Sequence, residues 1–351
     1  MSGIPAIPIH FAEVLKTKVW GGRRLETLLG KTLPNGEPVG ESWEISDHAH
    51  GESRVDEGDL AGTTLHDLVL QDEVGLIGRA GALEVGGRFP LLFKFIDAAD
   101  WLSVQVHPTD AYARTHEGGD PGKTEAWVVI DAEPGAKIAC GLVPGTTRDA
   151  FARAIADGTV ETHLRFVEVT RGDVVSMPSG VVHALGPGVL VAEIQQNSDT
   201  TYRVYDWGRV GLDGKPRELH IEKALDVINF GPQPEALVTP AVIEQAHPKH
   251  ERLVANDQFT YDRYASDWSF ELSPAMLGSF VILTCIHGRA DVQFPTGARS
   301  IRRGQTVLLP AALDEVHVAP DASVELLAMS LPLVASSPLP PGEGGVRENA
   351  G

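Results

Sequence analysis

A chain of 351 residues with 42% apolar residues is long for one domain and ample for a core, so two domains and a tail are expected. Its formal net charge of −19, with no block of basic residues, argues against nucleic acid or an anionic membrane surface as partner, and a phosphorylated ligand would need its own local cations. No leader-like opening and no apolar run near about eighteen residues occurs, which leads us to expect a cytoplasmic protein. Cys140 and Cys285 form neither a CxxC pair nor a disulfide framework and read as small buried hydrophobes.

In chain order, residues 10–60 hold a short helix or turn and then VGESWEISDH, where Trp43 and Ile45 share one strand face and Ser42, Glu44 and Ser46 the other. His48 and His50 follow in a polar loop and read as solvated, with metal ligation as the alternative. TTLHDLV at 63–69 is a short helix capped by Thr63 or Thr64. Two strands then run through 90–108, joined by a polar turn at 97–100. Lys94 sits amid apolar residues and either snorkels at a rim or points into a cavity. In the second strand Ser103, Gln105 and His107 alternate with Leu102, Val104 and Val106. A face carrying a hydroxyl, an amide and an imidazole suggests a cavity lining, an edge strand in solvent being the plainer reading.

Residues 107–123 look like a helical insertion, with Pro108 in the first turn and Gly118 and Gly119 at the end. Glu125 heads the next strand with Trp127 and Val129 on its own face; beside Lys123 it reads, alone, as half of a surface ion pair. TTRDAFARAIADG at 146–158 places Phe151, Ala154 and Ile155 at helical spacing, between a cap at Thr146 and a stop at Gly158. Glu193 and Arg203 lie in strands flanking a turn at 197–199, and Arg203 is near enough to Asp206 for a structural ion pair. An amphipathic helix follows, with Ile221, Ala224, Leu225 and Ile228 on one stripe. Residues 232–250 are Pro-containing and polar, a boundary between domains.

Gly172, Pro178, Gly180 and His183 obey the spacing G-x5-P-x-G-x2-H, which resembles the second cupin motif. In the cupin jelly roll two such segments converge inside a small antiparallel barrel and supply metal ligands. The usual first motif has two histidines at i, i+2 and a glutamate soon after. Here Gln105 takes the first histidine position, His107 the second, and Glu125 follows the helical insertion. Gly304 and Pro310 repeat G-x5-P, but Ala312 and Glu315 stand where the glycine and histidine would be, and only a lone His287 precedes them. The resemblance therefore implies a mainly β fold of two cupin-type jelly-roll barrels with a small helical layer. Residues 1–235 would form a catalytic domain with short helical insertions, 236–334 a metal-free cupin-like domain, and 335–351 a disordered tail.

The runs SVQVHP, GKTEAW, PSGVVHAL and EIQQNSDTTYRVYDW, with GESWEIS and WGG before them, make the resemblance specific: in this order they resemble type I phosphomannose isomerase, particularly its short bacterial form. That family implies an aldose–ketose isomerase acting on mannose 6-phosphate and fructose 6-phosphate, with one zinc ion per chain held by Gln105, His107, Glu125 and His183. The donor set alone would also admit Fe, Mn or Co, and Gln105 could hold a water instead of the ion. Arg203 matches the family's catalytic arginine; Glu193 or Lys123 would serve as the proton-transfer base; Ser103, Lys94, Lys123 and Arg203 would contact substrate. The expected partner is a phosphorylated hexose, and the chain would act as a monomer or homodimer. Two other classes compete: a metal-dependent cupin oxidoreductase, and a sugar-binding cupin without turnover.

Overall fold

The computed structural model describes residues 3–79, 81 and 87–332, so the tail expected at 335–351 lies outside the described residues. The chain is mainly β, and its strands pair antiparallel throughout. Alternating side chains explain the layering. In the strand Glu125–Ala132, Ala126, Val128 and Ile130 join one apolar cluster, while Trp127 and Val129 join another on the opposite face. A strand apolar on both faces must be covered on both.

The inner face meets a second sheet. A six-stranded sheet, which includes Leu91–Ala98, Glu125–Ala132 and Val189–Gln196, lies against a five-stranded one that includes Val104–Val106, Lys137–Leu142 and His183–Leu185. Ile96, Val175 and Val191 from the first sheet pack with Ile138, Cys140 and Leu185 from the second, which makes the first barrel. Its outer side carries the helices Arg148–Asp157 and Ile221–Val227, over Val104, Ala139, Val182 and Val204. Thr147, one residue later than expected, caps the first of these helices by accepting the N–H of Ala150. Thr64 caps Leu65–Gln71 in a reciprocal capping box with Asp67. The insertion is the helix Asp110–His116, capped by Thr109, which leaves Pro108 just outside its first turn.

The other face of the six-stranded sheet packs on a ten-stranded sheet built mostly from residues beyond 240. Its second barrel has an apolar cluster that includes Leu283, Cys285, Val307, Leu309 and Leu313. The strand Ile9–Ala12 also belongs to this sheet, pairing Ile9 with Leu308 and His10 with Val307. The sheet thus crosses the boundary expected near 235. A four-residue strand carries no sign in sequence of a partner near the opposite end of the chain.

Candidate metal centre and sugar-binding cavity

The positions of the polar side chains follow from strand register. His183 pairs directly with Gln105, and Gln105 with Arg203 on its other side, so three distant segments become neighbours in the five-stranded sheet. In the facing sheet Glu193 sits opposite Lys94 and Trp127, and Gln195 opposite Glu125. Gly180, at φ +87°, turns the chain between Met177 and His183; a side chain there would press on the carbonyl of Val227. His107, Glu125 and His183 meet between the sheets, each at most 2% exposed, with one ligand atom apiece within 4.8 Å of the others.

Hydrogen bonds orient both imidazoles with Nε2 facing inward. His107 donates from Nδ1 to the Thr200 carbonyl at 2.8 Å, and His183 from Nδ1 to that of Val181 at 2.9 Å. Both Nε2 atoms then face Glu125, whose Oε2 is 3.4 Å from His107 and Oε1 3.0 Å from His183. Burial, then Lys123, holds the His107 imidazole down to about 3. Burial pushes the Glu125 carboxyl up, but Lys123, His107 and His183 outweigh it and keep it well below the usual range. His107 Nε2 and both Glu125 oxygens are buried without a hydrogen bond. Apart from the Lys123 ammonium, 3.1 Å from Glu125 Oε2, this buried cluster consists of acceptors, an arrangement that is costly unless a further cation satisfies it. The ligand atoms lie close enough for one ion to touch all three residues, 3.0 and 3.4 Å between each imidazole and its Glu125 oxygen and within 4.8 Å overall. The donor set thus fits a divalent metal. The Gln105 amide nitrogen is 3.3 Å from His183 Nε2, and turning the amide over would put its oxygen next to the same cluster.

A cavity of about 630 Å³ lies beside this cluster, lined by its neighbours Gln105 and Lys123 and by Ser103, Lys94, Glu193 and Arg203 among others. Lys94 is 6% exposed, so it points into the cavity rather than to a rim, 3.0 Å from Glu193 and 3.7 Å from Glu41. Burial opposes its charge, yet the two carboxylates hold its pKa above the usual lysine range. Burial and then Glu125 push the Glu193 carboxyl up; its Oε2 accepts the Trp127 indole N–H at 2.6 Å and its Oε1 faces the Lys94 ammonium at 3.0 Å. Lys123 does pair with Glu125, at 3.1 Å, but in the interior rather than on the surface. Arg203 donates to Ser103 Oγ at 3.1 Å and to the Glu218 carbonyl at 2.8 Å; Asp206 is taken instead by Arg209 and Arg217.

Several lining residues were missed by the sequence reading. Glu41 shares its strand face with Trp43, takes that indole's N–H at 2.7 Å, and has a carboxyl that burial would raise but Lys94 and Lys18 draw down to about 2. The alternation in GESWEIS could have found it. His48 is not solvated: it is 7% exposed, with Nε2 3.3 Å from Asp120, while His50 is exposed and 2.8 Å from Asp199. These contacts span 72 and 149 residues, beyond the reach of local pattern.

The sequence profile described as "Phosphomannose isomerase type I, catalytic domain" matches residues 9–126. A Bacillus subtilis (strain 168) protein named probable mannose-6-phosphate isomerase GmuF is 44% identical over 253 residues, which are 72% of this chain and 78% of that one. The mannose-6-phosphate isomerase of Streptococcus mutans is 35% identical over 92% of this chain and 98% of its own length. The crystal structure of the Bacillus subtilis mannose 6-phosphate isomerase superposes with a TM-score of 0.84 at 33% identity, covering 92% of this chain and 99% of that one. The chain belongs to the type I phosphomannose isomerase family.

Proposed function

We propose that this chain interconverts mannose 6-phosphate and fructose 6-phosphate with one zinc ion per chain, held by His107, Glu125, His183 and Gln105. The observation that carries this reading is the buried cluster of His107 Nε2 and the two Glu125 oxygens, none of them hydrogen-bonded, beside a cavity lined by paired cations and carboxylates. Exchange of an aldose for its ketose requires ring opening, then transfer of a proton between carbons 1 and 2 through an enediol. Negative charge develops on the sugar oxygens, and a bound divalent ion supplies Lewis-acid stabilisation worth several kcal/mol.

The chain's own residues do the rest. Glu193 carries the proton: burial and Glu125 push its carboxyl up, its Oε1 faces only the Lys94 ammonium, and the Trp127 N–H anchors the other oxygen. Lys94 is held protonated by Glu193 first and Glu41 second, and balances Glu193 while the latter is ionised. Lys123 is held by Glu125 and reaches the substrate oxygens as a donor; it is the alternative base. Arg203, fixed by Ser103 and Glu218, presents its remaining N–H groups to the phosphate. We assign this site to 1–235 and a supporting role to 236–334. We take the protein to be cytoplasmic and monomeric or dimeric; among the described residues no helix is long and apolar enough to cross a membrane.

Metal analysis with a coupled assay on both sugar phosphates tests the reading. It requires one equivalent of metal, turnover in both directions and exchange of the carbon 2 proton with solvent; tight sugar binding without exchange, or oxygen consumption, contradicts it.

A further inference from the structure

The cavity has to accept a dianion, yet most of its cations already face a carboxylate. Lys18 lies 3.2 Å from Glu41, Lys94 3.0 Å from Glu193 and Lys123 3.1 Å from Glu125, while Arg217 is held side-on by Asp206. Arg203 pairs with no carboxylate among the described residues, but one guanidinium matches only half the charge of a phosphate. The remaining lining cation is Lys223. It sits on the helix Ile221–Val227, one turn after His220, whose ring Nδ1 accepts the backbone N–H of Arg203 at 3.3 Å and whose own N–H donates to the Arg203 carbonyl at 2.8 Å. Lys223 is therefore tied to the arginine through a short, hydrogen-bonded segment.

Its present partner is Glu117, at 2.6 Å, which also accepts the Tyr202 hydroxyl at 2.6 Å. Glu117 follows the inserted helix and precedes Gly118 and Gly119, both at positive φ with open space where a side chain would project. The Lys223 side chain is 44% exposed, and an ion pair in that setting is weak and screened by salt. A phosphate dianion beside Arg203 offers Lys223 a stronger charge-assisted bond. Resting on the reading of the cavity as a sugar phosphate site, we propose that Lys223 is a second phosphate-binding cation and that Glu117 is its resident counter-ion, which the phosphate of the substrate displaces. Glu117 thereby taxes every anion that enters, and Lys223 raises the preference for phosphorylated over unphosphorylated sugar.

The test compares wild type, K223M, K223R and E117Q as full-length, metal-loaded proteins, using mannose 6-phosphate, unphosphorylated mannose and inorganic phosphate as inhibitor. K223M should lower kcat/KM for mannose 6-phosphate about tenfold more than that for mannose and weaken phosphate inhibition similarly, mostly through KM. K223R should recover most of the preference, and E117Q should tighten phosphate inhibition by roughly two- to threefold. An equal loss on both sugars, no loss on either, a fall in kcat alone, or weaker phosphate inhibition in E117Q would overturn the proposal. A wild type inert toward mannose 6-phosphate would instead sink the isomerase reading, and phosphate binding by calorimetry would still report on Lys223.

Discussion

The two barrels use the same strand and turn for different ends. In the first, the strand Val174–Met177 leads through Pro178 and Gly180 to His183, and the turn is pinned by the Gly180 N–H to the His107 carbonyl at 2.9 Å. In the second, Thr306–Leu309 leads into Pro310, after which Ala311 and Ala312 donate to the carbonyls of Leu76 and Gly75 at 3.0 and 2.8 Å. Gly304, at φ +85°, lies so close to the Leu29 carbonyl that no side chain fits. One turn aims an imidazole into a cavity; the other docks the second barrel onto the first domain's helices. Where the first barrel holds Gln105, His107, Glu125 and His183, the second is filled by Leu283, Val307, Leu309 and Leu313. The scaffold is thus indifferent to chemistry, which resides in a few inward side chains.

Changes in the first barrel should have the largest effects on turnover. His183→Ala leaves Glu125 without one of its two imidazole neighbours, and should remove the metal and cut turnover roughly a thousandfold or more; metal analysis beside the coupled assay reads both. Arg203→Ala should keep the metal and lower kcat/KM on the order of a hundredfold, since it deletes a charged donor and not a ligand. If it remained fully active, its assigned role would be wrong. In the second barrel the expected signature is reversed. Leu283→Ala, at a wholly buried position, should cost about 2–5 kcal/mol in denaturant unfolding while metal content per folded chain and specific activity stay intact. Loss of metal in that variant would mean the barrels are not separable.

A smaller effect concerns acid. The Glu41 carboxyl falls from 4.5 to about 2 on folding, so the unfolded chain binds its proton more readily between those values. Its contribution is present above pH 4.5 and is lost as pH falls toward about 2. Unfolding midpoints measured over that range should drop less steeply in Glu41→Gln than in wild type; identical slopes would contradict the assignment.

The sequence exposed the inward faces better than it exposed the partners across them. Alternation alone set Ser103, Gln105 and His107 on one side of a strand, and the spacing around His183 supplied the returning imidazole. What alternation cannot state is register: that His183 lies opposite Gln105, or that Lys94 meets Glu193, depends on pairings between segments about a hundred residues apart. Glu125 and Lys123 looked like a surface pair because local sequence does not report burial. His48 was misread for the same reason, since its cover comes from Asp120 on the inserted segment. Helix caps were legible to within a residue, as the shift from Thr146 to Thr147 illustrates, but other ends moved by two, Leu65–Gln71 against an expected 63–69. The strand Ile9–Ala12 was hidden because its partner belongs to the other barrel.

The central claim is that three buried side chains hold one ion on which isomerisation depends. The most direct measurement is to strip the full-length protein with a chelator and titrate zinc back while following conversion of mannose 6-phosphate to fructose 6-phosphate. Activity should vanish and then return linearly, saturating at one equivalent per chain; undiminished turnover in the stripped protein, or zinc binding at that stoichiometry in Glu125→Ala, would contradict the account.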